Sequence, residues 1–203
     1  MFRNTKFKMR LCCFAIVLAA SAVSAESLGK TDPVLAVPVR DEAGASSVQS
    51  LGKTDPVLAV RVQSDIRQMM TASYASDPEA VLRYTHPAIV ESMGGTARAR
   101  EEVGKALDKM KQIGLSVESF DFPAEPRFVR GNKRLFAVVP TKIVVRAGAQ
   151  RAEVESFQVG IREDGGDAWT YVEGAKFAGG IRAKLFPDFP ADYEFPPVSR
   201  AAL

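Results

Sequence analysis

The sequence from residue 61 onward predicts an α+β domain: three N-terminal helices packed on a strongly curved antiparallel sheet. Two observations carry this. Up to Gly114 the apolar residues recur at helical spacing, and after it they recur every second residue. Helices that all precede the strands exclude a doubly wound α/β fold, whose elements alternate.

The first helix follows from Val62, Ile66, Met69, Met70 and Tyr74, which share one helical stripe. Ser76-Asp77-Pro78-Glu79 starts the second, with Ser-x-x-Glu as a capping box and Pro in the first turn. It carries Val81, Leu82 and Tyr84 and ends at His86-Pro87, because a residue before Pro resists helix. Gly94-Gly95 interrupts the chain. The third helix runs from about 97 on Ala99, Val103, Ala106, Leu107 and Met110, with Gly114 as its stop.

Five strands are expected, near 115–122, 126–130, 134–146, 151–163 and 167–174. Pro123, Gly131-Asn132, Gly148 and Asp164-Gly165-Gly166 mark the turns. Along 151–162 the apolar phase flips between Val154 and Phe157, which predicts a β-bulge near Glu155-Ser156. The stretch 185–197 holds four prolines and four aromatics and cannot be a helix. It should lie extended over the domain, with Phe186, Phe189 and Phe195 inserted into grooves.

Ahead of this domain two segments are expected. Residues 1–25 read as a signal peptide: a basic start, an apolar run from Leu11 to Ala22, and small residues at Val23-Ser24-Ala25. That run is shorter than the roughly 20 residues of a membrane span. The location is therefore exported, periplasmic or extracellular, with no stable membrane insertion after cleavage. Residues 26–60 read as a flexible linker, in which SLGKTDPVLAV occurs at 27–37 and again at 50–60. Two short copies cannot stack a solenoid. The Val-Leu-Ala-Val ends (34–37 and 57–60) offer at most a twin docking motif.

The chain has 203 residues and a formal charge of +3. Arg3, Lys6, Lys8 and Arg10 lie in the signal segment, which has no acid, so its removal takes the charge from +3 to −1. A near-neutral domain has no general pull on nucleic acid. Cys12 and Cys13 leave with the signal, and His86 is the only histidine. That excludes disulfides and a His/Cys metal site. No motif calls for a cofactor.

Side-chain alternation places Trp169, Tyr171 and Glu173 on one face of the last strand, and Thr170 and Val172 on the other. If the first face points inward, an aromatic wall and one carboxylate converge with Tyr74 and Tyr84 from the helices. A carboxylate in an apolar pocket serves as general base or acid. Glu173 is then the candidate base, with Tyr84 or His86 as hydrogen-bond partner. The competing reading leaves Trp169 and Tyr171 as packing residues and Glu173 in water.

Helices followed by a curved antiparallel sheet, with SDPEAVLRYTHPAIVESMGG (76–95) before the third helix and WTYVEG (169–174) in the last strand, resemble the nuclear transport factor 2-like (SnoaL-like) superfamily over about 61–185. The resemblance implies a cystatin-like cone, a pocket between helices and sheet, and often a dimer. It implies no particular reaction. Together the residues point to an exported non-catalytic module that binds a small apolar or amphipathic ligand or forms a homodimer through its sheet. The alternative is a cofactor-independent enzyme that moves a proton on a small organic substrate through Glu173 and His86.

Overall fold

The computed structural model of the chain describes residues 55–203. The signal segment and residues 26–54 of the expected linker lie outside the described residues.

Helix α1 spans Pro56–Tyr74. The Asp55 carboxylate accepts from the Val57 and Leu58 amides at 2.9 and 3.3 Å, and Pro56 fills the first helical position. An N-cap acid followed by Pro is a strong helix start. This moves the boundary expected at residue 61: the second Asp-Pro-Val-Leu-Ala-Val opens α1 and is not linker. Its Ala59 is buried, while Val57 and Val60 face solvent. Val62, Ile66, Met69 and Met70 are buried as the stripe requires, but Tyr74 is 39% exposed.

Helix α2 is Pro78–Tyr84, and its cap is Asp77, whose carboxylate accepts from the Ala80 amide at 3.0 Å. Ser76 does not make the expected capping box; its backbone is left-handed, at φ 56°. The chain does not stay irregular after His86-Pro87. Pro87 opens a short helix α3, Pro87–Ser92, so four helices precede the sheet where three were expected. A proline that ends one helix is equally suited to start the next, where its missing N–H is not needed. Helix α4 is Thr96–Gln112, with Ala99, Val103 and Leu107 buried and Gly114 left-handed beyond its end.

Six antiparallel strands follow: β1 Leu115–Asp121, β2 Arg127–Arg130, β3 Arg134–Ala147, β4 Gln150–Glu163, β5 Thr170–Glu173 and β6 Ser199–Ala202. The sheet is not closed. Its spine is the 14-residue pair β3–β4. On β3, β1 pairs with 142–147 and β2 with 135–138. On β4, β5 pairs with 158–161 and β6 with 152–155.

The bulge expected at Glu155-Ser156 is absent. Register between β3 and β4 runs unbroken from Arg134↔Glu163 to Ala147↔Gln150. The break sits in β1 instead, between Val117 and Ser119. What flips in β4 is the covered face. Ala152 and Val154 are buried on the face that carries Gly160 and Tyr171, toward α1. Phe157, Val159 and Ile161 are buried on the opposite face, beneath the C-terminal segment. A strand that changes its covering layer along its length looks, in sequence, like a strand with an extra residue.

After β5 the chain forms α5 (Gly174–Lys176), a π-helical turn (Phe177–Ile181) kinked at Gly180, and α6 (Arg182–Leu185). Leu185 of the stretch expected to be extended belongs to α6, and beyond it no helix forms before β6: turns at 187–188 and 191–192 interrupt a chain that is otherwise irregular. Phe186 and Phe189 are buried against Phe136 and Phe177, and Phe195 stacks on Phe157 at 5.2 Å. None of the described helices is long and apolar enough to cross a membrane.

Candidate functional site

Helix α1 carries a second stripe beside its apolar one. Arg61, Ser64, Asp65 and Gln68 stand at i, i+3, i+4 and i+7 and so project from one side. They form one wall of an open cleft of about 460 Å³. Arg83 and Tyr84 of α2 form a second wall, and Ala168 and Trp169, just ahead of β5, form the third.

At its base is a buried carboxylate. Asp65 is 7% exposed. The Tyr171 hydroxyl donates to its Oδ2 at 3.2 Å, and Arg61 Nε lies 3.3 Å from Oδ1. A buried acid needs such partners, because desolvation penalises an unpaired charge heavily. Burial first, and then the negative charge of Asp65, push the Tyr171 hydroxyl well above the usual phenol range. That proton stays on the oxygen and orients Asp65.

A second network crosses the mouth. Tyr84 donates to Gln68 Oε1 at 2.7 Å, and Gln68 Nε2 donates to Ser64 Oγ at 3.3 Å. The Tyr84 ring is tilted against Tyr171, with centroids 6.4 Å apart. Trp169 packs on Phe128 at 6.1 Å, and the Arg162 guanidinium lies over its indole at 5.3 Å. The small side of Gly160 admits both rings: a Cβ there would meet Tyr171 and Trp169 at 3.1 and 3.2 Å.

Of the expected pocket residues, Tyr84 and Trp169 line the cleft and Tyr171 lies under it. Tyr74 does not line it; it stands on the last turn of α1, beyond Gln68. Glu173 and His86 do not line it either, which corrects the placement expected of them. The Glu173 carboxylate caps α5, accepting from the amides of Ala175 and Lys176 at 3.0 Å each. His86 Nδ1 caps α3, accepting from the Ala88 amide at 3.1 Å. Its ring edge meets Phe186 at 4.9 Å, and Nε2 faces Glu163 at 3.7 Å, on the side of the C-terminal segment. Asp65, Arg61, Ser64 and Gln68 escaped sequence reasoning. Their helical spacing was the available signal, but a polar stripe is ordinarily a solvated face.

A smaller hollow of about 320 Å³ lies at the β3–β4 hairpin end. It is walled by Leu115, Val145, Leu203 and alanines, and its Arg151 is paired with Glu118. It has no counterpart to the Asp65 network. Among the described residues, no group of three or more His, Cys, Asp or Glu could hold a metal ion. No protein-family model, curated protein or solved structure matches the chain. The functional reading therefore rests on the cleft.

His86 supplies a stability prediction. Burial is the main cause that lowers its pKa; the Arg134 charge adds to it, and Glu163 opposes both. The fold thus favours neutral His86, whose Nδ1 lone pair caps α3. The unfolded chain takes up its proton first, as pH falls through about 6.5. Stability is fully present above that value and declines below it. Urea midpoints should drop between about pH 7 and about pH 5.5 in the native sequence and change less in His86→Gln. Equal pH slopes in the two proteins would remove His86 as the cause.

Proposed function

We propose that the chain is an exported, non-catalytic module that binds a small amphipathic molecule in the cleft between α1, α2 and Trp169. The observation that carries this reading is the buried Asp65–Tyr171–Arg61 network, which presents fixed polar groups at the base of an open concavity. Ligand sites combine apolar walls with a few oriented polar groups in this way. Export rests on the basic, apolar and small-residue order of residues 1–25. We also propose a SnoaL-like cone as the finer description of the fold, supported by helices ahead of an antiparallel sheet and by the register break in β1 between Val117 and Ser119.

The enzyme alternative draws less support. Both oxygens of Glu173 accept backbone amides, and both ring nitrogens of His86 face protein groups. Amide-resolved NMR of the isotopically labelled protein with a library of small organic fragments tests the binding reading. Binders should move the amides of Ser64, Gln68, Tyr84 and Trp169 in a saturable way. Shifts centred on Glu173 and His86 would transfer the site to those residues. Shifts that leave the cleft untouched would overturn the proposal.

A further inference from the structure

We propose that the cleft selects a small aryl compound bearing a single carboxylate-type anionic group. This rests on the cleft being the ligand site and adds the chemical class.

The charges around the cleft favour an anion. Arg61 and Asp65 are paired and cancel. Arg83 stands exposed on the cleft wall with no ion-pair partner among the described residues. Arg162, over Trp169, likewise pairs with no acid among them. Two guanidinium groups therefore remain unbalanced beside the aromatic wall. Asp167, next to Ala168 and exposed, is a single carboxylate against those two cations. An amine would meet repulsion from Arg83 and Arg162, and the only lining acid is already engaged.

The hydrogen-bonding groups of the lining favour an anion as well. The Gln68 carbonyl is taken by the Tyr84 hydroxyl, and Tyr84 has thereby used its proton. Ser64 Oγ receives Gln68 Nε2, and its own proton has no acceptor among the described residues. What the lining offers a newcomer is mainly donors, the Ser64 hydroxyl, the second Gln68 N–H and the Arg83 fork, and the acceptors that remain are lone pairs of the neutral Ser64, Tyr84 and Gln68 oxygens. An ionised carboxylate is acceptor-only and matches such a set, while an ammonium, donor-only, does not. Tyr84 and Ala168, with the small exposed edge of the otherwise buried Trp169, supply the surface for a ring. The volume of about 460 Å³ is ample for a single ring with a short arm.

Trp169 is the only tryptophan of the chain, so its emission reports this cleft alone. The test titrates the full chain with three probes of one shape and different charge: phenylacetate, 2-phenylethanol and phenethylamine. Phenylacetate should change the emission saturably, with a Kd on the order of millimolar. The alcohol and the amine should bind at least about threefold more weakly, and Arg83→Gln should remove most of that preference, as for a solvent-facing ion pair. Arg83 is exposed, so this variant folds, and circular dichroism verifies it. Equal affinities for the three probes in the native protein would overturn the anionic class and leave the cleft as a ligand site. A preference unchanged in both Arg83→Gln and Arg162→Gln would overturn the charge argument. No saturable change with any probe would overturn both this inference and the binding reading beneath it.

Discussion

Deleting residues 186–203 is expected to abolish cooperative folding. Phe186 and Phe189 are buried in contact with Phe136 and Phe177, and Phe195 stacks on both Phe157 and Phe189. Burying one such ring contributes about 2–3 kcal/mol. Two of them, with the half-buried Phe195, are already a large share of the whole stability of an ordinary domain, about 5–15 kcal/mol. The deletion also removes Asp188, which pairs with Arg134 at 2.8 Å, and β6, which covers one edge of β4. It would leave Phe136 and Phe157 on the spine of the sheet, and Phe177 beside them, open to water. The measurement is the soluble yield of the shortened chain and its urea transition. A soluble product with an unchanged midpoint would show that the segment is only laid over a core complete without it. Phe186→Ala separates packing from chain length and should cost about 3–5 kcal/mol, as buried Phe→Ala changes do.

How far this was legible in sequence differs by element. The bounds of β1 to β4 follow from alternation and turn residues to within about a residue or two, because each strand has one dry face. The buried phenylalanines of the C-terminal segment followed from proline: a segment barred from helix that still carries large rings must lay them on something. Other features turn on partners far away in sequence. Ser-Arg-Ala-Ala has no strand preference of its own, and β6 exists because the edge of β4 is open there. The phase flip in β4 fitted a bulge as well as it fitted a change of covering layer, and only the pairing with β3 decides.

The cleft was half legible for a similar reason. Tyr84, Trp169 and Tyr171 stood out because aromatic residues are few. Asp65 did not, since an acid on an amphipathic helix is normally solvated. It is buried because Tyr171, 106 residues later, lays its hydroxyl against it. Glu173 misled in the opposite direction. A carboxylate at a strand end followed by Gly resembles a catalytic group entering a pocket and a helix cap equally. Gly174 decides between them, because the chain turns straight into α5 there.

That turn yields the second large effect. Gly174→Ala is expected to destabilise the domain by about 3 kcal/mol or more, at or beyond the upper end for an overpacked core. A Cβ at this position would lie under 3.0 Å from both the ring and the backbone carbonyl of Phe157. The ring could swing only by disturbing its stack on Phe195. The carbonyl belongs to β4, held between β3 and β5, and cannot move without straining the sheet. Gly104→Ala is the control. It sits in α4 with nothing within 4 Å of its added Cβ, so it should stabilise by about 0.5–1 kcal/mol through helix propensity alone. Urea midpoints of the two variants should therefore move in opposite directions. If Gly174→Ala were neutral, the contact between Gly174 and Phe157 would be looser than described, and the acid-Gly turn would have no packing reason to hold glycine. A loss confined to Gly174→Ala would fix Gly174 against Phe157, at the turn that also brings the amides of Ala175 and Lys176 onto the Glu173 carboxylate.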